Sequence, residues 1–188
     1  MSRARSFAAV VGGGARLLIL GSMPGAASLA ARQYYAHPYN RFWSILGEIC
    51  GAGGELPYPR RLHCLKSHGF ALWDVLHSCV RVGSLDSSIE RRSARPNDIP
   101  GLLRRHPGIV RICCNGATAH AALLRYFGPE LRALGVEVRR LPSTSPANAG
   151  CPPADKLAAW RAALTSPVAP AAKLPRALFR LGRPEPGS

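Results

Sequence analysis

Short apolar runs alternating with stretches of helical period constrain this chain more than any other feature of its sequence. Leu17–Leu20 is a compact apolar run that stops at Gly21, as a buried strand does where the chain turns. Phe70–Leu76, with Asp74 inside it, reads as a second strand. Ile109–Cys114 reads as a third, ended by the Asn115-Gly116 turn, and Val136–Leu141 as a fourth. Helical stripes lie between them. Phe42, Ile45, Leu46 and Ile49 repeat at i, i+3, i+4 and i+7 from a start at Asn40, until Gly51 and Gly53-Gly54 stop the pattern. Thr118–Phe127 reads as a helix, and Asp155–Leu164 as the last one, with Leu157, Trp160 and Leu164 on one face. Strands alternating with helices predict an α/β fold of three layers, α/β/α, around a central four-stranded, mainly parallel sheet. Ligands of such sheets collect at loops leaving the carboxyl ends of the strands. Gly21–Gly25 and Leu141–Asn148 are therefore expected to open onto one crevice.

A single domain over residues 16–164 is expected, after a flexible lead-in at 1–15. Gly12-Gly13-Gly14 precedes the first strand, whereas a dinucleotide fingerprint would follow it. Residues 165–188 hold five prolines, four basic residues and one acid, the composition of a disordered tail. Two readings stand for that tail: an added non-specific grip on DNA, or a passive extension.

Lys plus Arg total 25 against 10 Asp plus Glu, a net charge of +15, of which the tail carries only +3. Arginine supplies most of it, and its flat fork suits phosphate oxygens. A polyanion is the natural partner, because neutralising phosphates releases counterions. A GC-rich genome also favours arginine codons, so charge alone is a moderate argument. No apolar stretch reaches the ~20 residues of a membrane span, and no secretory signal is evident. A soluble, cytoplasmic, nucleoid-associated monomer is expected, with no membrane partner. The six cysteines form no C-x-x-C pair, so neither a zinc site nor an iron–sulfur cluster is indicated. No metal and no cofactor is expected, and the adjacent Cys113 and Cys114 read as reduced core residues.

Three loops carry the chemistry. Gly21-Ser22-Met23-Pro24-Gly25 is a tight turn at a strand end whose backbone amides can face a ligand. The stretch from Gln33 to Trp43 packs tyrosines, His37-Pro38 and Asn40 in front of a helix. Leu141-Pro142-Ser143-Thr144-Ser145-Pro146-Ala147-Asn148 sets three hydroxyls between prolines, a stiff loop suited to clamping phosphate. Plainer roles compete. Asn40 is a good helix cap, His37 suits a structural hydrogen bond, and Ser143 and Ser145 suit turns. Asp74 and Asp86 read as structural carboxylates, and Trp43 and Trp160 as packing.

Taken in order, H-P-x-N-R-F-W at His37–Trp43, L-W-D-V-L at Leu72–Leu76, G-S-L-D-x-x-I at Gly83–Ile89 and N-G-x-T-A at Asn115–Ala119 resemble the uracil-DNA glycosylase superfamily. The likeness spans Leu17 to Leu164 and looks greatest to the hypoxanthine-DNA (deoxyinosine) glycosylases and the mismatch-specific branch. It implies a monofunctional enzyme that flips a damaged or mismatched base out of double-stranded DNA and hydrolyses its glycosidic bond. It departs from the uracil-removing pattern at Met23, where those relatives carry an Asp or Asn that handles the attacking water. The resemblance moves that task to Asn40 and the substrate towards deaminated purine, hypoxanthine and with it xanthine. Ser22, Met23, Pro24, Gly25, Tyr35 and His37 are then expected around the base, with Tyr35 stacking on it. Leu141, Pro142, Ser143, Thr144, Ser145, Pro146 and Asn148 are expected on the DNA. The three loops contain no lysine to form a Schiff base with the sugar. A uracil or G·T/G·U mismatch glycosylase, and a non-catalytic lesion-binding module, are the competing readings.

Overall fold

The computed structural model describes residues 3–167. Its centre is β2 (Leu17–Gly21), an all-buried strand with parallel neighbours on both sides. A strand covered on both faces reads as an unbroken apolar run because no residue in it meets water. The parallel sheet has the order β3 (Phe70–Asp74), β2, β6 (Arg111–Asn115), β7 (Glu137–Leu141). Alternate residues of β2 serve two cores. Leu18 and Leu20 join Ile99 and Leu103 of α4 (Ile99–Arg105) and Leu123 of α5 (Ala117–Ala133). Leu17 and Ile19 join Phe42 and Leu46 of α2 (Phe42–Cys50), Leu65 of α3 (Tyr58–Ser67) and Trp160 of α6 (Pro153–Thr165). This is the expected three-layer α/β/α fold.

Several elements differ from expectation. The run Phe70–Leu76 is two strands: β3 ends at Asp74, and β4 (Leu76–Val80) turns away into a second sheet. That sheet has the order β1 (Arg3–Arg5), β4, β5 (Arg95–Pro96), with antiparallel pairing. The boundary at residue 16 is thereby corrected. β1 pairs with Ser78–Val80 and Val10 bridges to Leu72, so the stretch read as a lead-in is anchored by backbone hydrogen bonds. α5 runs past Phe127 and through Pro129, because Leu131 is buried in the core beyond it. At the other end of the chain, Arg111 is 1% exposed and donates to Glu137 and to the carbonyls of Ala163, Ser166 and Pro167. Residues beyond Pro167, most of the expected tail, lie outside the described residues. No helix among the described residues is long and apolar enough to cross a membrane.

Candidate active site

Parallel register brings the strand ends level. Gly21 pairs with Asp74, and Asn115 with Leu141, at the carboxyl edge of the sheet. These four residues line a cavity of about 830 Å³, within the size range of small-molecule sites. Every residue expected at the site from sequence lines this same cavity. Asp74, Ser84, Asp86 and Asn115 line it too; sequence reasoning had treated the two carboxylates as structural and passed over the others. The signal available for Asp74 and Asn115 was a polar residue at the end of an apolar strand, and the strand boundary at Asp74 had been misplaced.

The first loop is tied down from one side. Ser22 Oγ donates to Asp86 Oδ2 at 2.6 Å, Ala26 N donates to Ser84 Oγ at 2.9 Å, and Arg81 Nη2 donates to the Pro24 carbonyl. Met23 is 6% exposed and packs in the core with Leu18 and Leu20. The amides of Met23 and Gly25 donate to no protein acceptor among the described residues.

The second loop carries backbone strain. Tyr35 sits at φ 55, a left-handed conformation rare for a bulky side chain. Its ring stacks on Phe42 at 3.9 Å between centroids, and its buried hydroxyl finds no hydrogen-bond partner among the described residues. A Cβ on Gly21 would collide with Asp74 Oδ1 and come within 2.9 Å of the Tyr35 hydroxyl. Only glycine lets those two oxygens converge on the cavity floor. Burial pushes the Asp74 carboxyl up to about 7; the nearby Asp86 adds to this, while a hydrogen bond from Ser6 and the charge of Arg81 oppose it. The Tyr35 phenol is also raised, by burial and then by Asp74.

Asn40 Oδ1 accepts from Phe42 N at 3.0 Å, an Asx turn just ahead of α2. The N-cap position itself is Arg41, which makes no side-chain cap, so the expected cap at Asn40 is corrected by one residue. A structural hydrogen bond and cavity lining therefore coexist in Asn40. His37 is exposed and its Nδ1 accepts from Tyr39 N at 3.2 Å, the structural hydrogen bond its setting suggested.

In the third loop, two of the residues expected on the DNA have buried side chains. Leu141 is buried in the core against Trp160 and its neighbours. The Thr144 side chain is fully buried: Asn115 Nδ2 donates to its Oγ1 at 2.8 Å, and Thr144 N donates back to Asn115 Oδ1 at 2.9 Å. An amide held in this reciprocal pair fixes the loop, so the Thr144 hydroxyl is not offered to phosphate. Ser143 and Ser145 make turn bonds, accepting from Ser145 N and Ala147 N. Gly116, at φ 96, brings the β6 end so near that a Cβ would lie 3.0 Å from Ser143 Cβ. Asn115→Ala is expected to lower stability by about 1–3 kcal/mol, since it leaves a buried hydroxyl and amide unpaired. A thermal melt checks this; an unchanged melting temperature would mean the loop is held elsewhere.

Together the parallel sheet, the cavity at its carboxyl edge and the three bounding loops define an α/β protein with its candidate ligand site at the strand ends. The chain belongs to the uracil DNA glycosylase superfamily, whose profile matches residues 10–164. Among its relatives are two proteins named hypoxanthine DNA glycosylase. The one from Methanosarcina acetivorans is 38% identical over 145 residues, 77% of this chain and 87% of the relative. That from Methanosarcina barkeri is 35% identical over the same shares. A solution NMR structure from Methanosarcina acetivorans, provisionally titled a uracil DNA glycosylase, superposes with a TM-score of 0.72 at 34% identity, covering 87% of this chain and 97% of that one.

Proposed function

We propose that this protein is a monofunctional DNA glycosylase that removes hypoxanthine from double-stranded DNA, acting as a monomer on the nucleoid. The observation that carries the reading is the pairing of Met23 with Asn40 on one cavity. The first loop presents a buried thioether at Met23, while the neighbouring loop presents an amide at Asn40. The two relatives named for hypoxanthine support the same substrate.

An intrahelical base is out of reach, so the nucleotide is flipped into the cavity at a cost of a few kcal/mol. Stacking on the Tyr35 ring returns about 1–3 kcal/mol. Asn40 Oδ1, with one lone pair committed to Phe42 N, uses the other to orient a water towards C1′ of the sugar. As the bond from C1′ to N9 breaks, the purine leaves with the electron pair and the sugar becomes electron-poor. Water oxygen adds to C1′, its surplus proton goes to solvent, and the base takes up a proton. Oriented donors matter most for the departing base, because charge develops there. The Met23 and Gly25 amides and the Tyr35 hydroxyl are such donors. Asp74, raised to about 7 by burial, is another while it holds its proton: a neutral carboxyl donates an O–H to the purine O6 without setting a charge against the anion. The lysine nearest the third loop, Lys156, donates to the Asn148 carbonyl at 3.2 Å and does not line the cavity, in keeping with hydrolysis and no Schiff base.

The test is direct. Duplexes carrying inosine, xanthine, uracil or a G·T mismatch are incubated with the protein, and alkali then breaks any abasic site. Inosine strands are expected to break first. Uracil release with inosine intact would sink the substrate reading, and tight lesion binding without any release would sink the enzyme.

A further inference from the structure

The segment before residue 10 precedes the family match, yet it packs directly behind the cavity floor. Ser6 Oγ donates to Asp74 Oδ2 at 2.6 Å, leaving Oδ1 on the side of Gly21 and the Tyr35 hydroxyl. The neighbouring residues hold Ser6 in place. Ser6 N donates to the His77 carbonyl at 2.8 Å, and Trp73 Nε1 donates to the Phe7 carbonyl at 3.0 Å. The Tyr34 hydroxyl donates to the Ala8 carbonyl at 3.3 Å, and the rings of Phe7 and Tyr34 meet edge-on at 5.1 Å. Both sequence neighbours of the site, Trp73 beside Asp74 and Tyr34 beside Tyr35, are thus bonded to this one segment.

We infer that the N-terminal segment is a working part of the active site, and that Ser6 is a positioning residue that holds the Asp74 carboxyl against the flipped base. The inference rests on the reading of Asp74 as a donor to that base. With the rear oxygen occupied by Ser6, the carboxyl cannot rotate freely, and the front oxygen stays on the cavity side. The hydroxyl also favours the ionised carboxyl, since a hydrogen bond to the charged form stabilises it. The other groups facing Asp74 are Tyr34 and Tyr35 from the second loop, Tyr58 of α3, Asp86, and Arg81 beyond β4. Of these only Tyr34 also draws on Ser6, and burial holds its phenol far above the assayed range, so the effect of removing Ser6 on the pH dependence is read through Asp74.

The experiment measures kcat and KM on an inosine duplex from about pH 6 to about pH 9, for wild type, Ser6→Ala, Ser6→Cys, Ser6→Thr and Asp74→Asn. Ser6→Cys keeps the volume and weakens the donor, which guards against a folding defect in Ser6→Ala. Both variants are expected to lose kcat several-fold, with KM little changed. Their alkaline limb should move up by roughly one pH unit, and Ser6→Thr should restore the wild-type profile. An alkaline limb that stays put in both Ser6 variants, but vanishes in Asp74→Asn, overturns the positioning role and spares Asp74. A limb that persists in Asp74→Asn overturns the reading of Asp74 itself, and this inference with it.

Discussion

Asn40→Ala is expected to slow inosine cleavage on the order of 10²–10⁴-fold, the range for losing a group that handles a proton or the attacking water. The same change removes the Asx turn ahead of α2, because Asn40 Oδ1 accepts from Phe42 N. Magnitudes separate the two roles. Losing one such hydrogen bond costs about 1 kcal/mol, which for a chain of this size lowers the melting temperature by about 2–4 °C. Against a total stability of about 5–15 kcal/mol, the protein stays almost wholly folded at 25 °C. Unfolding therefore cannot account for a hundredfold loss. Asn40→Ser sharpens the point, since a serine hydroxyl makes the same turn, more weakly, but lacks the amide. Its melting temperature should recover part of the loss while its activity stays low. Activity restored along with the turn would assign Asn40 to structure alone.

Asp74 carries the second large effect, and its sign follows from burial. The carboxyl is raised to about 7, first by desolvation, so it is neutral below that value and ionises above it. If the neutral form donates to the leaving base, kcat/KM holds steady on the acid side and falls as pH rises through about 7. Asp74→Asn keeps a neutral donor at every pH and should flatten that limb. Asp74→Ala removes the donor and should cost on the order of 10²–10³-fold, as for other oriented donors. Stability offers an independent reading of the same group. The folded state holds this proton to higher pH than the unfolded chain does, so stability is fully present below the unfolded value and is lost as pH rises through the folded one. Asp74→Asn should accordingly stabilise the protein more at about pH 8 than at about pH 5. A melting-temperature difference that does not change with pH would show that the buried carboxyl is not titrating there.

The parts of this site legible in the sequence are those carried by contiguous segments. Met23 and Asn40 sit inside loops whose order and spacing mark a family, and both line the cavity. Tyr35 is subtler: its place in the loop was readable, but its left-handed backbone and its stacking on Phe42 were not. Thr144 shows the opposite case. Three hydroxyls in a stiff loop suggested phosphate contacts, and only the approach of Asn115 from another strand turns one of them inward. β1, β4 and β5 went unread because none carries an unbroken apolar run, and their pairing with one another is encoded by no local pattern.

By itself the sequence determined the parallel core and the carboxyl-edge location of the site. Apolar runs such as Leu17–Leu20 are stable only when buried on both faces, and parallel strands put their outgoing loops on one edge. Tertiary structure alone decided what lies beneath the cavity. Ser6, Gly21, Tyr35, Asp74 and Asn115 come from five separate segments, and their meeting depends on strand register and on a bend at Val75 that sends β4 into a second sheet. The properties of that floor, a raised carboxyl and a buried phenol without a partner, arise from desolvation. Desolvation belongs to the packed molecule and to no stretch of its sequence.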